Sequence, residues 1–149
     1  MDSNHLSHYG VPGMRWGYRK HIKKTSKLAN KYSESMFRAR QYAKIGNSKQ
    51  NDHEKHKYYD KSVKQYNKGI TYHKIKYAKA RQKYKEYEQR LIKKYGNTVF
   101  NEKINKYAAT KRGAKYLNRM ALEKYAIRMG YEVQGQTLDE HELFMRTRK

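Results

Sequence analysis

The stretch YDKSVKQYNKGITYHKIKYAKARQKYKEYEQRL, residues 59–91, decides the fold, because its apolar and aromatic side chains recur at alternating steps of four and three residues. A repeat sustained in this way is typical of an α-helix with a coiled-coil seam. The seam positions are Tyr59, Val63, Tyr66, Ile70, His73, Tyr77, Ala80, Tyr84, Tyr87 and Leu91. We therefore predict a long helix here, with His73 as a buried polar residue on its inner side.

Turn and capping signals bound this helix on both sides. Asn51, followed three residues later by Glu54, is a capping pair before it, and Gly96 is a glycine stop after it. Upstream, apolar residues at helical spacing predict another helix over about residues 25–45. Because a long helix does not leave its apolar stripe in water, we expect the two to fold back on each other as an antiparallel hairpin within residues 23–96.

The last third of the chain predicts a smaller helical part, residues 97–149. Helices are expected over 98–112 and 114–129, with Gly130 as the stop after the second. YEVQGQ, residues 131–136, reads as a short extended piece before a last turn or two of helix. The predicted fold class is therefore all-α: a long basic helical hairpin or coiled coil, a smaller helical C-terminal part, and a glycine-rich N-terminal segment over residues 1–22.

The charge of the chain points to an anionic partner. There are 36 lysines and arginines against 13 acids, a formal net charge of +23. Such an excess repels itself in the compact state. Nucleic acid is the commonest partner of a chain like this, and we place DNA ahead of RNA. An anionic membrane surface and an acidic protein groove are the alternatives, but no apolar run reaches the roughly 20 residues of a membrane span, and no membrane partner is predicted.

One basic run is the predicted nucleic-acid contact. No acid occurs in it, whereas a solvated helix face usually mixes charges of both signs. The alternative is a plain solvated face of the coiled coil. The predicted binding residues are Lys61, Lys64, Lys68, Lys74, Lys76, Lys79, Arg81, Lys83 and Lys85.

The N-terminal stretch HYGVPGMRWGYRK, residues 8–20, differs from everything after it. Pro12-Gly13 suits the centre of a tight turn. From physical chemistry alone, either Trp16 closes the end of the helical hairpin or the segment is a docking peptide with aromatic and arginine anchors. The predicted docking residues are Gly13, Met14, Arg15, Trp16, Gly17 and Arg19.

This stretch resembles the short motif HxGxxGM[KR]WGxR[RK], found near one end of many proteins from the head-gene regions of tailed phages and prophages. The matching residues are His8, Gly10, Gly13, Met14, Arg15, Trp16, Gly17, Arg19 and Lys20. Tyr9 and Tyr18 depart mildly from it, at positions where a histidine and an aliphatic residue are frequent. The resemblance covers about a tenth of the chain. It implies a virion-associated protein whose N-terminus is a tag for the capsid interior, docking on a capsid or portal protein.

The sequence does not predict an enzyme or a cofactor. It lacks a phosphate-cradling glycine loop and a nucleophile motif. The absence of cysteine excludes disulfides and thiolate metal sites. His5-x-x-His8 and His53-x-x-His56 have metal-ligand spacing without a completing carboxylate or thiolate nearby, so we predict no metal site.

The function expected is that of a phage virion protein, non-enzymatic, that binds nucleic acid through phosphate contacts and is packaged in the head by residues 8–20. Its expected location is the capsid interior or the cytoplasm of the host bacterium. Two alternatives stay open at this point. One is a phage-encoded inhibitor of a CRISPR-type nucleoprotein complex, and the other is a coiled-coil head assembly or scaffold factor that self-associates.

Overall fold

The computed structural model describes residues 18–147, and these residues are almost entirely helical, with no strand among them. The all-α prediction is confirmed. The helices are α1 (Arg19–Asn47), α2 (Asp52–Lys68), α3 (Ile75–Tyr95), α4 (Asn97–Ala108), α5 (Lys111–Met120), α6 (Glu123–Val133) and α7 (Asp139–Thr147). Short π-helical segments, Gly69–Lys74 and Gln134–Leu138, join α2 to α3 and α6 to α7.

The ends of the central helical stretch lie where the capping signals predicted them. The Asn51 side chain accepts hydrogen bonds from the backbone N–H groups of His53 and Glu54, at 2.8 and 3.2 Å. At the other end, Gly96 follows α3 with a φ of 87°. That value lies in the left-handed region, where a side chain is disfavoured, so glycine separates α3 from α4.

The chain forms two compact units, each assembled from separated segments. Unit 1 contains residues 18–28 of the described chain together with Lys76–Ala121. Unit 2 contains Ala29–Ile75 together with residues 122–147. Within each unit, a part of α1 therefore packs against residues that lie far away in the sequence.

Unit 1 has an aromatic core centred on Tyr18. This side chain is fully buried, and its ring stacks on Tyr84 with centroids 5.4 Å apart and meets the edge of Phe100 at 5.6 Å. The Tyr18 hydroxyl lies 3.1 Å from Glu88 Oε2 and 3.2 Å from the Tyr84 hydroxyl. The buried core residues are Tyr18, Ile22, Tyr84, Leu91, Phe100 and Tyr107. Tyrosine thus takes a place that aliphatic residues fill in most cores, as its apolar ring and polar tip allow.

Unit 2 pairs α1 with α2 in antiparallel fashion. The Ser62 hydroxyl donates to the Ala39 carbonyl at 2.6 Å, and Gly46 lies against the Tyr59 ring. Higher residue numbers on one helix therefore meet lower numbers on the other, as in the predicted hairpin. The buried core of this unit is Tyr32, Met36, Ala126 and Met129.

Two predictions for the C-terminal part are wrong. Gly130 does not end a helix but lies inside α6, where a Cβ would come within 3.3 Å of Met36 Sδ. Residues 131–136 are helical rather than extended, because α6 continues to Val133 and a π-helical segment follows. Gly130 provides room for close packing there, so its glycine signal does not mark a helix end.

The helix boundary predicted near Gly113 is also misplaced. Gly113 belongs to the first turn of α5, which starts at Lys111 after the cap residue Thr110. The Thr110 hydroxyl oxygen accepts from the Gly113 N–H at 3.0 Å. A Cβ on residue 113 would overlap the Tyr107 carbonyl oxygen, so glycine is required by the tight passage between α4 and α5. None of the helices in residues 18–147 has the length and apolarity needed to cross a membrane.

Candidate nucleic-acid interface

All nine predicted nucleic-acid contacts lie on the surface of the described helices. Every one of their side chains is exposed. They are divided between the two units, with Lys61, Lys64, Lys68 and Lys74 in unit 2 and Lys76, Lys79, Arg81, Lys83 and Lys85 in unit 1. We consider the two groups separately.

In unit 2 the basic residues of α2 follow one helix face, but several already interact within the protein. Lys57, Lys61, Lys64 and Lys68 recur at steps of three and four residues and are all exposed. The Lys61 ammonium lies 5.2 Å from the centre of the Tyr58 ring, and Lys64 pairs with Asp60 at 3.0 Å. The ion pair with Asp60 offsets the charge of Lys64, whereas the contact with the Tyr58 ring leaves Lys61 charged.

In unit 1 the basic residues form a groove between two helices. Lys76, Lys79 and Lys83 recur along α3 at steps of three and four, on the side that meets α1. Lys24 lines the groove from α1, and Leu28 and Ala80 give it a partly apolar floor. The groove has a volume of about 380 Å³ and none of its lining residues is acidic. We call these six residues the lysine groove.

Four cationic side chains lie near His21, beside the lysine groove. Its ring lies 5.3 Å from that of Tyr87. Burial lowers the pKa of His21, and the nearby charges of Lys24, Lys83, Lys20 and Arg90 lower it further. The second of these causes, the surrounding positive charge, would stabilise an anion, whereas burial would not.

The remaining basic residues of α3 are not part of the groove. By helical spacing, Arg81 and Lys85 lie on the opposite side of α3 from Lys79. The Lys85 ammonium is 3.9 Å from Glu88 Oε1 and 5.5 Å from the centre of the Tyr84 ring. The sequence prediction therefore combined residues of two sides of one helix, and it missed Lys24, which reaches the groove from α1.

The docking residues Gly13, Met14, Arg15, Trp16 and Gly17 lie outside the described residues. Arg19 is described and is half-buried in unit 1, where its guanidinium lies 5.0 Å from the centre of the Tyr107 ring. Together with the buried Tyr18, it shows that the last residues of the predicted docking segment belong to the fold of unit 1.

A histidine pair links α2 to α7 in unit 2. The Nδ1 atoms of His56 and His141 are 3.3 Å apart, and the His56 ring stacks on Phe144 with centroids 3.7 Å apart. His141 Nε2 also lies 3.6 Å from Asp60 Oδ1. Burial lowers the pKa of His56, and the neighbouring His141 adds to this effect.

Within the described part of the chain, no group of three or more histidine, aspartate or glutamate residues is arranged to hold a metal ion. The cavity beside the pair, about 290 Å³, is also lined by His53, Lys57 and Met145. The pair therefore forms a contact between α2 and α7.

Comparison with known proteins gives a match to the N-terminal segment. A model described as a family of unknown function (DUF7211) matches residues 1–23. Of these residues the structure describes those from Tyr18 onwards, which start α1 and enter the core of unit 1. No curated protein and no solved structure matches the chain.

Proposed function

We propose that this protein binds nucleic acid through its phosphate backbone and does so without catalysis. The observation that carries the proposal is the lysine groove of unit 1, where Lys24, Lys76, Lys79 and Lys83 converge with no acid in the lining. Four cations in one groove neutralise adjacent phosphates without reading their sequence. Binding then depends on the release of counterions, and the affinity falls steeply with salt.

The groove is electrostatically unfavourable without an anion. Like charges at helical spacing destabilise a helix by a few tenths of a kcal/mol per pair, roughly 0.2–0.5. Lys79 and Lys83 form such a pair on α3, and Lys24 adds a further cation across the groove. A bound phosphate backbone removes this repulsion, so nucleic acid would stabilise unit 1 by mass action.

The setting that we propose is the head of a tailed phage or prophage. It rests on the resemblance of residues 8–20 to the head-region motif. In this proposal, that segment docks on a capsid or portal protein, and the protein reaches the capsid interior with the genome. The high net charge of +23 suits a protein that neutralises packaged DNA.

A charge-matched pair of variants tests the groove. In the first, Lys24, Lys76, Lys79 and Lys83 are replaced by glutamine, and in the second the same change is made at exposed lysines of unit 1 outside the groove. The control positions are Lys93, Lys106, Lys111 and Lys115. Both variants lose the same formal charge, so a difference in their affinity for nucleic acid shows that the location of the lysines matters and not only their number.

Fluorescence anisotropy with random duplex DNA and with RNA, over a salt series, is the measurement. We expect tight, sequence-independent binding by the unmodified protein. The groove variant should lower the affinity and reduce the slope of log K against log salt by about 2 to 4, since each lost phosphate contact on duplex DNA removes about 0.9. Equal effects of the two variants would refute the groove. Selective binding of one RNA or nucleoprotein complex would instead favour the inhibitor alternative.

A further inference from the structure

The outward face of α6 in unit 2 exposes two tyrosines among cations. Tyr131 is 71% exposed and Tyr125 is 57% exposed. Most tyrosines of the described chain are buried or half-buried, as Tyr32 and Tyr66 are in this unit. Two exposed rings on one short helix therefore depart from the way in which this protein uses tyrosine.

The arrangement of the helix separates an apolar side from this face. Ala126, Met129, Gly130 and Val133 are the buried residues of α6. Helical spacing places Lys124, Arg128 and Tyr131 on the opposite side, with Tyr125 at its edge. The Arg128 guanidinium carbon lies 6.0 Å from the centre of the Tyr125 ring. The two tyrosines are about 9 Å apart along the helix axis at 1.5 Å per residue.

We propose that this face is a stacking platform for unpaired bases of single-stranded nucleic acid. Tyr125 and Tyr131 provide the ring faces, and Lys124 and Arg128 contact the phosphates between the stacked bases. We call these four residues the tyrosine platform. The inference rests on the proposed function, because it assigns to the same class of partner a second and chemically different contact.

The charges of the face favour nucleic acid over a protein partner. Both ionisable side chains of the tyrosine platform are cationic, and the adjacent Glu132 is paired with Arg40 at 3.0 Å. Exposed aromatic rings beside lysine and arginine are the elements with which proteins hold single strands, since every base has a face to stack. Such stacking depends on the bases, whereas the lysine groove depends on phosphates alone.

Ring-deleting and ring-keeping variants separate the two contacts. In the test variant Tyr125 and Tyr131 are both replaced by alanine, and in the matched control both are replaced by phenylalanine, which keeps the ring. Both side chains are exposed, so neither change disturbs the core, and circular dichroism and thermal melting verify this. The probes are a 20-nucleotide oligo-dT, an abasic oligonucleotide of the same length, and a 20-base-pair duplex.

The alanine variant should bind oligo-dT more weakly by on the order of 25-fold or more, with an unchanged salt slope, since it loses two stacks and each lost stack weakens binding by about fivefold or more. The phenylalanine variant should match the unmodified protein. Duplex affinity should change less than about twofold in both, and the abasic probe should bind the unmodified protein and the alanine variant alike.

The outcomes distinguish this inference from the proposed function. Unchanged oligo-dT affinity in the alanine variant, with duplex binding intact, would overturn the tyrosine platform and leave the proposed function standing. An equal loss on oligo-dT and the abasic probe would also overturn it, because bases would then not be involved. Failure of the unmodified protein to bind any probe would refute the proposed function itself.

Discussion

Replacing Tyr18 by alanine should unfold unit 1 in preference to unit 2. Tyr18 is the first described residue, and it is fully buried. Its ring contacts Tyr84, Tyr87 and Phe100, with centroid distances of 5.4, 6.3 and 5.6 Å. Truncation of a buried aromatic side chain to alanine costs about 3–5 kcal/mol, and we expect about 4 kcal/mol here. That is a large part of the roughly 5–15 kcal/mol that stabilises an ordinary domain.

Replacing Tyr18 by phenylalanine divides this cost into its two contributions. The ring contacts remain, and the hydroxyl that lies 3.1 Å from Glu88 Oε2 is lost. The Glu88 side chain is only 17% exposed, so water replaces this hydrogen bond poorly. A hydrogen bond to a charged group contributes about 1.5–3 kcal/mol. The phenylalanine variant should therefore lose about 2 kcal/mol, roughly half as much as the alanine variant.

Urea unfolding followed by circular dichroism, together with amide hydrogen exchange, measures both effects. Exchange should accelerate most at the amides of α3 and α4 that surround Tyr18, and less in α2 and α6. The control is Tyr72→Ala, at a tyrosine that is 49% exposed, which should cost less than about 1 kcal/mol. If Tyr18→Ala costs no more than this control, the packing of Tyr18 in the core of unit 1 is not as described here.

Three further predictions concern stability. Gly113→Ala should lower the free energy of unfolding by about 1–3 kcal/mol, because the new Cβ overlaps the Tyr107 carbonyl, even though alanine favours helix. A melting temperature at or above that of the parent would contradict this prediction. Gly96→Ala should lose about 1–3 kcal/mol in urea unfolding from its backbone conformation alone, since no atom lies within 4 Å of the new Cβ. Its φ of 87° and ψ of 158° lie in a region that is essentially restricted to glycine, so Gly96→Asn should lose about as much. The pKa of His56 is lowered from 6.5 in the folded protein, so the unfolded chain takes up a proton first as the pH falls, and the free energy of unfolding should decrease below about pH 6.5. Measured from pH 8 to 5, the free energy of unfolding of His56→Gln should depend less steeply on pH than that of the parent. Parallel curves for the two proteins would refute the link to the His56–His141 pair.

The inward side of the central helices was predictable because its signal is local. Tyr59, Tyr77 and Tyr84, chosen from their spacing alone, are all buried. His73, predicted to be a buried polar residue of the seam, is also buried. Helical periodicity is a property of neighbouring residues, so it needs no knowledge of the partner surface.

The features that the sequence did not predict depend on contacts between distant segments. The π-helical segment interrupts the central helix at Gly69, where a Cβ would overlap Met36 Cε on α1. From the sequence, Gly130 predicts a helix end, whereas in the structure it gives Met36 room to pack against α6. Met36 lies some thirty positions from Gly69 and nearly a hundred positions from Gly130, and in both cases it decides why glycine is required.

The lysine groove was predicted in part for the same reason. Lys76, Lys79 and Lys83 belong to the basic run that the sequence makes visible, and their helical spacing was available. Lys24 joins them only through the pairing of α1 with α3 in unit 1. The tyrosine platform was missed because Tyr125 and Tyr131 resemble core tyrosines until the packed side of α6 is known.

The division of α1 between two units has a consequence for folding during translation. Unit 1 is complete once Ala121 has been made, whereas unit 2 needs α6 and α7 as well. At roughly 5–20 residues per second, the part of α1 that belongs to unit 2 packs on α2 and then waits about 5–20 s for the end of α7. An incomplete chain that stops after α5 would carry one finished unit and an α1–α2 pair in which Tyr32 and Met36 lack their α6 neighbours, which makes translation arrest more hazardous for unit 2 than for unit 1.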